Sequence, residues 1–183
     1  MRAVLLAILL SVAAALPSFA ADRKIQDFYG AYLGHGGDEG SGETTSGPKQ
    51  TRFSQVIIHS SKEEKDGFTI EWATLKLKGD EIPSEADTKS YTQTFRAADK
   101  PTLFRDITSG DPNLGADTSW AVIKGDMLRI VQVTVDSDGG YFLTQYDRTL
   151  TPKGMDVHFT RIENGKIVRA VKLNLLKGPA KVN

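Results

Sequence analysis

The sequence predicts an all-β fold, a closed up-and-down antiparallel barrel of about ten strands. Three observations carry that expectation. Runs of alternating apolar and polar residues, rich in Val, Ile, Thr, Phe and Tyr, fill most of the chain beyond residue 28. Turn-forming clusters separate them, among them Lys65-Asp66-Gly67, Lys124-Gly125-Asp126, Asp138-Gly139-Gly140 and Glu163-Asn164-Gly165-Lys166. No stretch sustains a helical period. A long sheet with open edges invites pairing with other chains, so closure into a barrel is favoured, with a β-sandwich as the runner-up.

The elements follow in order. Residues 1–20 read as a secretory signal peptide: Arg2 supplies the positive start, Ala3 to Leu16 is apolar except for Ser11, and Pro17-Ser18-Phe19-Ala20 ends in small residues. An apolar run of 14 residues is short of the ~20 that span a bilayer. Residues 21–183 are expected to form a single β-barrel domain, with no transmembrane segment in the mature chain. Asp22 to Phe28 fits one short helical turn. Strands are expected near 28–36, 51–60, 67–78, 89–96, 102–107, 118–124, 127–136, 141–150, 155–163 and 166–177. Gly36 to Gln50 and Lys78 to Lys89 are long polar connectors, and Pro83 bars a central strand in the second.

Composition narrows the function classes. The chain has no cysteine, which removes disulfides, thiolate metal sites and cysteine nucleophiles; an exported chain without disulfides points to the periplasm. Cleavage after Ala20 leaves 22 basic against 23 acidic side chains, unclustered, so no nucleic-acid partner is expected. Gly-x-Ser-x-Gly, a phosphate loop and His-Glu-x-x-His are all missing, and nothing marks an enzyme. No cofactor or metal is called for. Asp136-Ser137-Asp138-Gly139 resembles the start of a calcium loop, but its glycine is misplaced and the segment reads as a hairpin turn.

Register can be derived for the last three strands. A turn at Thr151 to Gly154 pairs Leu150 with Met155, Arg148 with Val157, Tyr146 with Phe159 and Thr144 with Arg161. For the next hairpin a three-residue loop with a glycine bulge at Gly165 is expected, bringing Val157 to Val171, Met155 to Leu173 and Arg161 to Ile167. On an earlier strand, Phe68, Ile70 and Trp72 share one face while Leu75 and Leu77 have the opposite parity, which predicts a bulge near Ala73. Trp72 and Trp120 both read as core.

Gly30-Ala31-Tyr32-Leu33-Gly34-His35-Gly36 resembles the opening strand of calycin barrels, in which lipocalins carry Gly-x-Trp and nitrobindins Gly-x-Trp-x-Gly-x-Gly. Tyr32 stands where those families have tryptophan. The resemblance implies a closed barrel binding an apolar or haem-like molecule. Nitrobindin-like haem binding would take an axial histidine from a late strand, where His158 lies; its parity, however, sets it opposite to Met155, Val157 and Phe159. His35 and His59 share no metal-like spacing with it.

Tyr146, Arg148 and Arg161 share an otherwise apolar face with Phe159. A guanidinium beside a phenol there suits one carboxylate or phosphate head, with an apolar tail in the barrel; this is similar, in reversed order, to the Arg-x-Tyr clamp of fatty-acid-binding proteins. The alternative has both arginines snorkelling to water from strand ends. The expected ligand-binding residues are thus Tyr146, Arg148, Arg161, Phe159 and Trp72. The expected function is a periplasmic binding or carrier protein for a small apolar or amphipathic, lipid-like ligand. Alternatives are an envelope protein–protein interaction or inhibitor module, and a haem-binding barrel.

Overall fold

The computed structural model describes residues 22–39, 51–77 and 88–179. The expected signal peptide, residues 40–50 of the first polar connector and 78–87 of the second lie outside the described residues. Ten strands are described: β1 (Gly30–Asp38), β2 (Thr51–Ser60), β3 (Phe68–Leu77), β4 (Thr88–Ala97), β5 (Leu103–Asp106), β6 (Thr118–Lys124), β7 (Met127–Val135), β8 (Tyr141–Thr151), β9 (Gly154–Glu163) and β10 (Lys166–Lys177). Each pairs antiparallel with its chain neighbours, and β1 pairs with β10 from Tyr32↔Lys177 to Asp38↔Val171, closing the barrel. Every strand thereby finds two hydrogen-bonding neighbours and no edge remains. No helix among the described residues is long and apolar enough to cross a membrane.

The barrel is packed solid at one end and hollow at the other. Period-two alternation points Phe68, Phe95, Phe104, Leu128, Met155 and Leu175 inward at the closed end, where all are fully buried. Phe68 stacks on Phe95 at 4.9 Å, and Phe104 meets it edge-on at 5.1 Å. Beneath them the predicted helical turn is a 3-10 turn, Ile25–Phe28, whose Ile25 and Phe28 plug the floor. Arg23 pairs with Asp126 at 2.6 Å and Asp22 accepts from the Gly125 amide at 2.7 Å, tying this plug to the β6–β7 turn.

Tyr32, the residue in the tryptophan position of the calycin motif, is fully buried and donates its hydroxyl to the Phe28 carbonyl at 2.9 Å. Lys177 lies over its ring at 5.6 Å. Tyr32→Phe leaves that buried carbonyl without its donor. A loss of about 1–2 kcal/mol is expected, read in a thermal melt as a Tm lower by roughly 2–6 °C.

The β8–β9 register is the expected one, with Tyr146 opposite Phe159 and Arg148 opposite Val157. The β9–β10 register is not. Asn164 and Gly165 take left-handed φ of 47° and 82°, the signature of a two-residue turn that pairs Glu163 with Lys166. The extra residue is Val168, which shifts the register between Ile167 and Arg169. Val157 therefore meets Leu173, Met155 meets Leu175, and Arg161 meets Arg169. A one-residue insertion swaps faces, so Ile167 turns out to solvent, 54% exposed, and Arg169 turns in.

The bulge expected near Ala73 is also absent. β2 and β3 pair without interruption from Thr51↔Leu77 to Ser60↔Phe68. Leu75 pairs with Phe53 on the outer face, and the inward positions beyond Trp72 are the polar Thr74 and Lys76. The change from apolar to polar marks where core gives way to cavity. Trp120, expected in the core, alternates with the buried Ser119 and Ala121 and lies on the outer face.

Candidate functional site

The open half of the barrel encloses a cavity of about 560 Å³, within the range of small-molecule sites. Trp72, Tyr146, Arg148, Phe159 and Arg161 all line it. Its central feature is Arg148. Alternation along β8 sends Thr144, Tyr146 and Arg148 inward, whereas the adjacent Asp147 points outward. Asp147 is engaged there by Arg129 at 2.6 and 2.7 Å and by Gln145 at 2.9 Å. The nearest carboxylate in sequence is thus committed to the other side of the wall.

Arg148 is only 1% exposed, and its Nε and Nη1 have no hydrogen-bond partner. Its guanidinium carbon lies 4.7 Å from the Tyr146 ring centre and 5.6 Å from that of Trp72. Aromatic faces offset part of the lost hydration of a cation, but they accept no N–H in the way a carboxylate does. Burial pushes the Arg148 pKa down to about 10, with Tyr146 and Asp147 acting in the opposite sense. The group is a cation at neutral pH. Burial raises the Tyr146 pKa, opposed by Arg148, so the phenol stays protonated and able to donate.

Arg161 does not join this cluster as the clamp reading expected. It sits at the mouth, donating to Glu163 at 2.8 Å with its guanidinium over Phe142 at 4.7 Å. Its side chain is half-exposed, so snorkelling describes Arg161 but not Arg148. Two further arginines reach the mouth. Arg52 donates to both oxygens of Asp38 at 3.2 and 3.1 Å, and Arg169 approaches the same carboxylate at 3.5 Å. Burial first, then repulsion from Arg52, lowers the Arg169 pKa, with Asp38 opposing. Arg52 was legible from its parity with Val56 and Ile58; Arg169 was hidden by the bulge at Val168.

No protein-family model matches the chain, and no curated protein matches its sequence. The cavity chemistry therefore carries the functional reading. None of the three histidines lines the cavity. His158 pairs with Glu39 at 3.1 Å on the outside, His59 with Glu71 at 3.1 Å, and His35 packs against Phe53. Among the described residues no group of His, Asp or Glu has the geometry to hold a metal ion. An iron enclosed by this barrel would find no histidine ligand.

Proposed function

We propose that this barrel is a binding or carrier protein for a small amphipathic anion, held by its anionic group on Arg148. One observation carries the reading: a buried arginine whose Nε and Nη1 have no hydrogen-bond partner, facing a cavity large enough for a ligand. A charge in that position is costly to the apo fold. A carboxylate or phosphate in the cavity would supply the missing acceptors and neutralise it. Tyr146 and Trp72 then flank the head group, and the apolar Val157, Phe159 and Leu173 contact the body of the ligand.

A closed antiparallel barrel with a short turn beneath its packed end supports the likeness of the Gly30–Gly36 segment to calycin barrels of the lipocalin and nitrobindin kind. The signal-like residues 1–20 support export to the periplasm. Trp72 lines the cavity, so its fluorescence reports occupancy directly. Native mass spectrometry of freshly purified protein tests for a co-purifying acid, and a quench titration tests rebinding after its removal. A cavity that neither retains nor rebinds any organic anion would end the proposal.

The outer face supports a second reading. Leu33 and Leu176 are paired neighbours on β1 and β10, 60% and 56% exposed, and Phe53 is exposed on the adjoining β2. That stripe fits contact with an envelope protein. Charge substitutions at Leu33 and Leu176 would disrupt such a contact and leave small-molecule binding intact.

A further inference from the structure

The cavity lining combines stretches of wall of two different chemistries. One is aromatic. Trp72 stacks on Tyr91 with ring centres 5.2 Å apart, Tyr146 is tilted against Trp72 at 5.5 Å, and Phe159 against Tyr146 at 4.8 Å. The other wall, from β4 to β7, is polar and includes Gln93, Asp106, Ser119 and Gln132.

Asp106 is the unusual member of this wall. It is 3% exposed, yet it lines the same cavity as Arg148. Its Oδ1 accepts from the Thr108 amide at 2.8 Å and hydroxyl at 2.7 Å, and its Oδ2 accepts from Gln93 Nε2 at 3.1 Å. Gln93 Nε2 also reaches Ser119 Oγ at 3.4 Å. A carboxylate has about four acceptor positions, so one on Oδ2 is left over after those three bonds. Arg148 is not among its partners: the buried cation on β8 and the buried carboxylate on β5 are not hydrogen-bonded to each other.

A long alkyl chain fits such a space badly. It would lie against Asp106, Gln93, Ser119 and Gln132 and exclude water from them without replacing the lost hydrogen bonds. A flat ring satisfies both sides, its face against the aromatic wall and its polar edge toward Asp106. We infer that the ligand is a compact aromatic acid with its anionic group on Arg148 and a hydroxyl or amino donor, across the ring, on Asp106. This rests on the anion-binding reading above and names its ligand class.

Isothermal titration of the intact protein with 4-hydroxycinnamic acid, cinnamic acid and dodecanoic acid tests it. The hydroxylated acid should bind at least 10-fold tighter than cinnamic acid, because a site built to receive a hydroxyl keeps one acceptor position of its buried carboxylate unfilled, and cut off from water, when the hydroxyl is missing. Dodecanoic acid should bind most weakly. Asp106→Asn should bring the two aromatic acids to within about threefold of each other. The wild-type comparison stands alone should that variant fail to fold. Equal affinities for the two aromatic acids, or dodecanoic acid binding tightest, would overturn the aromatic-acid inference; loss of that binding in Arg148→Met would then leave the anion reading standing. No heat with any of the three at millimolar concentration would overturn both.

Discussion

Arg148→Met is expected to make the protein more stable and, at the same time, to weaken its affinity for organic anions sharply. The two effects share one cause. The guanidinium is desolvated, two of its nitrogens lack acceptors, and its compensation comes only from the Tyr146 and Trp72 faces. Replacing a buried charge by an apolar side chain of similar length is commonly neutral or stabilising, by about 1–4 kcal/mol. Methionine is unbranched and flexible enough to follow the same path through the core. A melt should therefore show a higher Tm. Binding of an anion should weaken by a factor on the order of 100, the equivalent of one charge-assisted hydrogen-bonded pair.

The pH dependence has a definite sign. Burial depresses the Arg148 pKa in the fold to about 10, below the ordinary guanidinium value. The penalty for holding the cation is fully present below about pH 10, and it is relieved as the pH rises from there toward the ordinary guanidinium range. Arg148→Met removes the penalty throughout the neutral range, so its gain in stability should be flat between pH 6 and 9. A variant less stable than the wild type, binding anions unchanged, would make Arg148 a structural residue. Stability sacrificed at one position is the usual mark of a functional site.

The sequence made some of this geometry legible for a physical reason. On β8 and β9 the inward set is Tyr146, Arg148, Val157 and Phe159, and the intervening turn is too short to permit a slip, so alternation alone fixes which side chains meet. The same logic fails on β10. Ile167 and Val168 are both apolar, and alternation does not reveal which of them is the inserted residue. The turn was expected to absorb the extra residue, whereas Asn164-Gly165 suits a two-residue turn and the bulge moved into the strand. Arg169 became visible as a mouth residue only through that shift.

β3 failed for the opposite reason. Leu75 and Leu77 suggested that the buried face had changed sides, but β3 keeps its phase and its interior simply turns polar. A hollow barrel breaks the rule that apolar positions point inward, and it does so where the ligand would sit. Asp106 was overlooked on the same grounds. An acidic residue ending a short strand reads as solvent-facing until the neighbouring Gln93 and Thr108 side chains are seen to enclose it.

The calycin-like motif leads to the second large effect, because two of its glycines are required by the closing seam. Gly34 and Gly36 alternate on β1 with Leu33 and His35 and pair with Leu175 and Leu173 of β10. A Cβ on Gly34 would stand 2.0 Å from the Asn174 carbonyl oxygen, and one on Gly36 would stand 1.8 Å from that of Lys172 and 2.7 Å from the Leu173 Cα. These obstacles are backbone atoms, so no rotamer change relieves them. Gly36→Val is expected to force β1 away from β10 and reopen the seam. The loss should exceed 4 kcal/mol, at the extreme of single substitutions, and the variant should accumulate as aggregate through its two exposed edges. Leu33→Val, at an outward-facing position of the same motif and 60% exposed, should cost less than about 0.5 kcal/mol. Soluble expression and urea melts of the pair separate a steric requirement at the seam from general sensitivity of β1. A Gly36→Val protein that folds with the wild-type midpoint would mean that the seam closes without the close approach of β1 to β10.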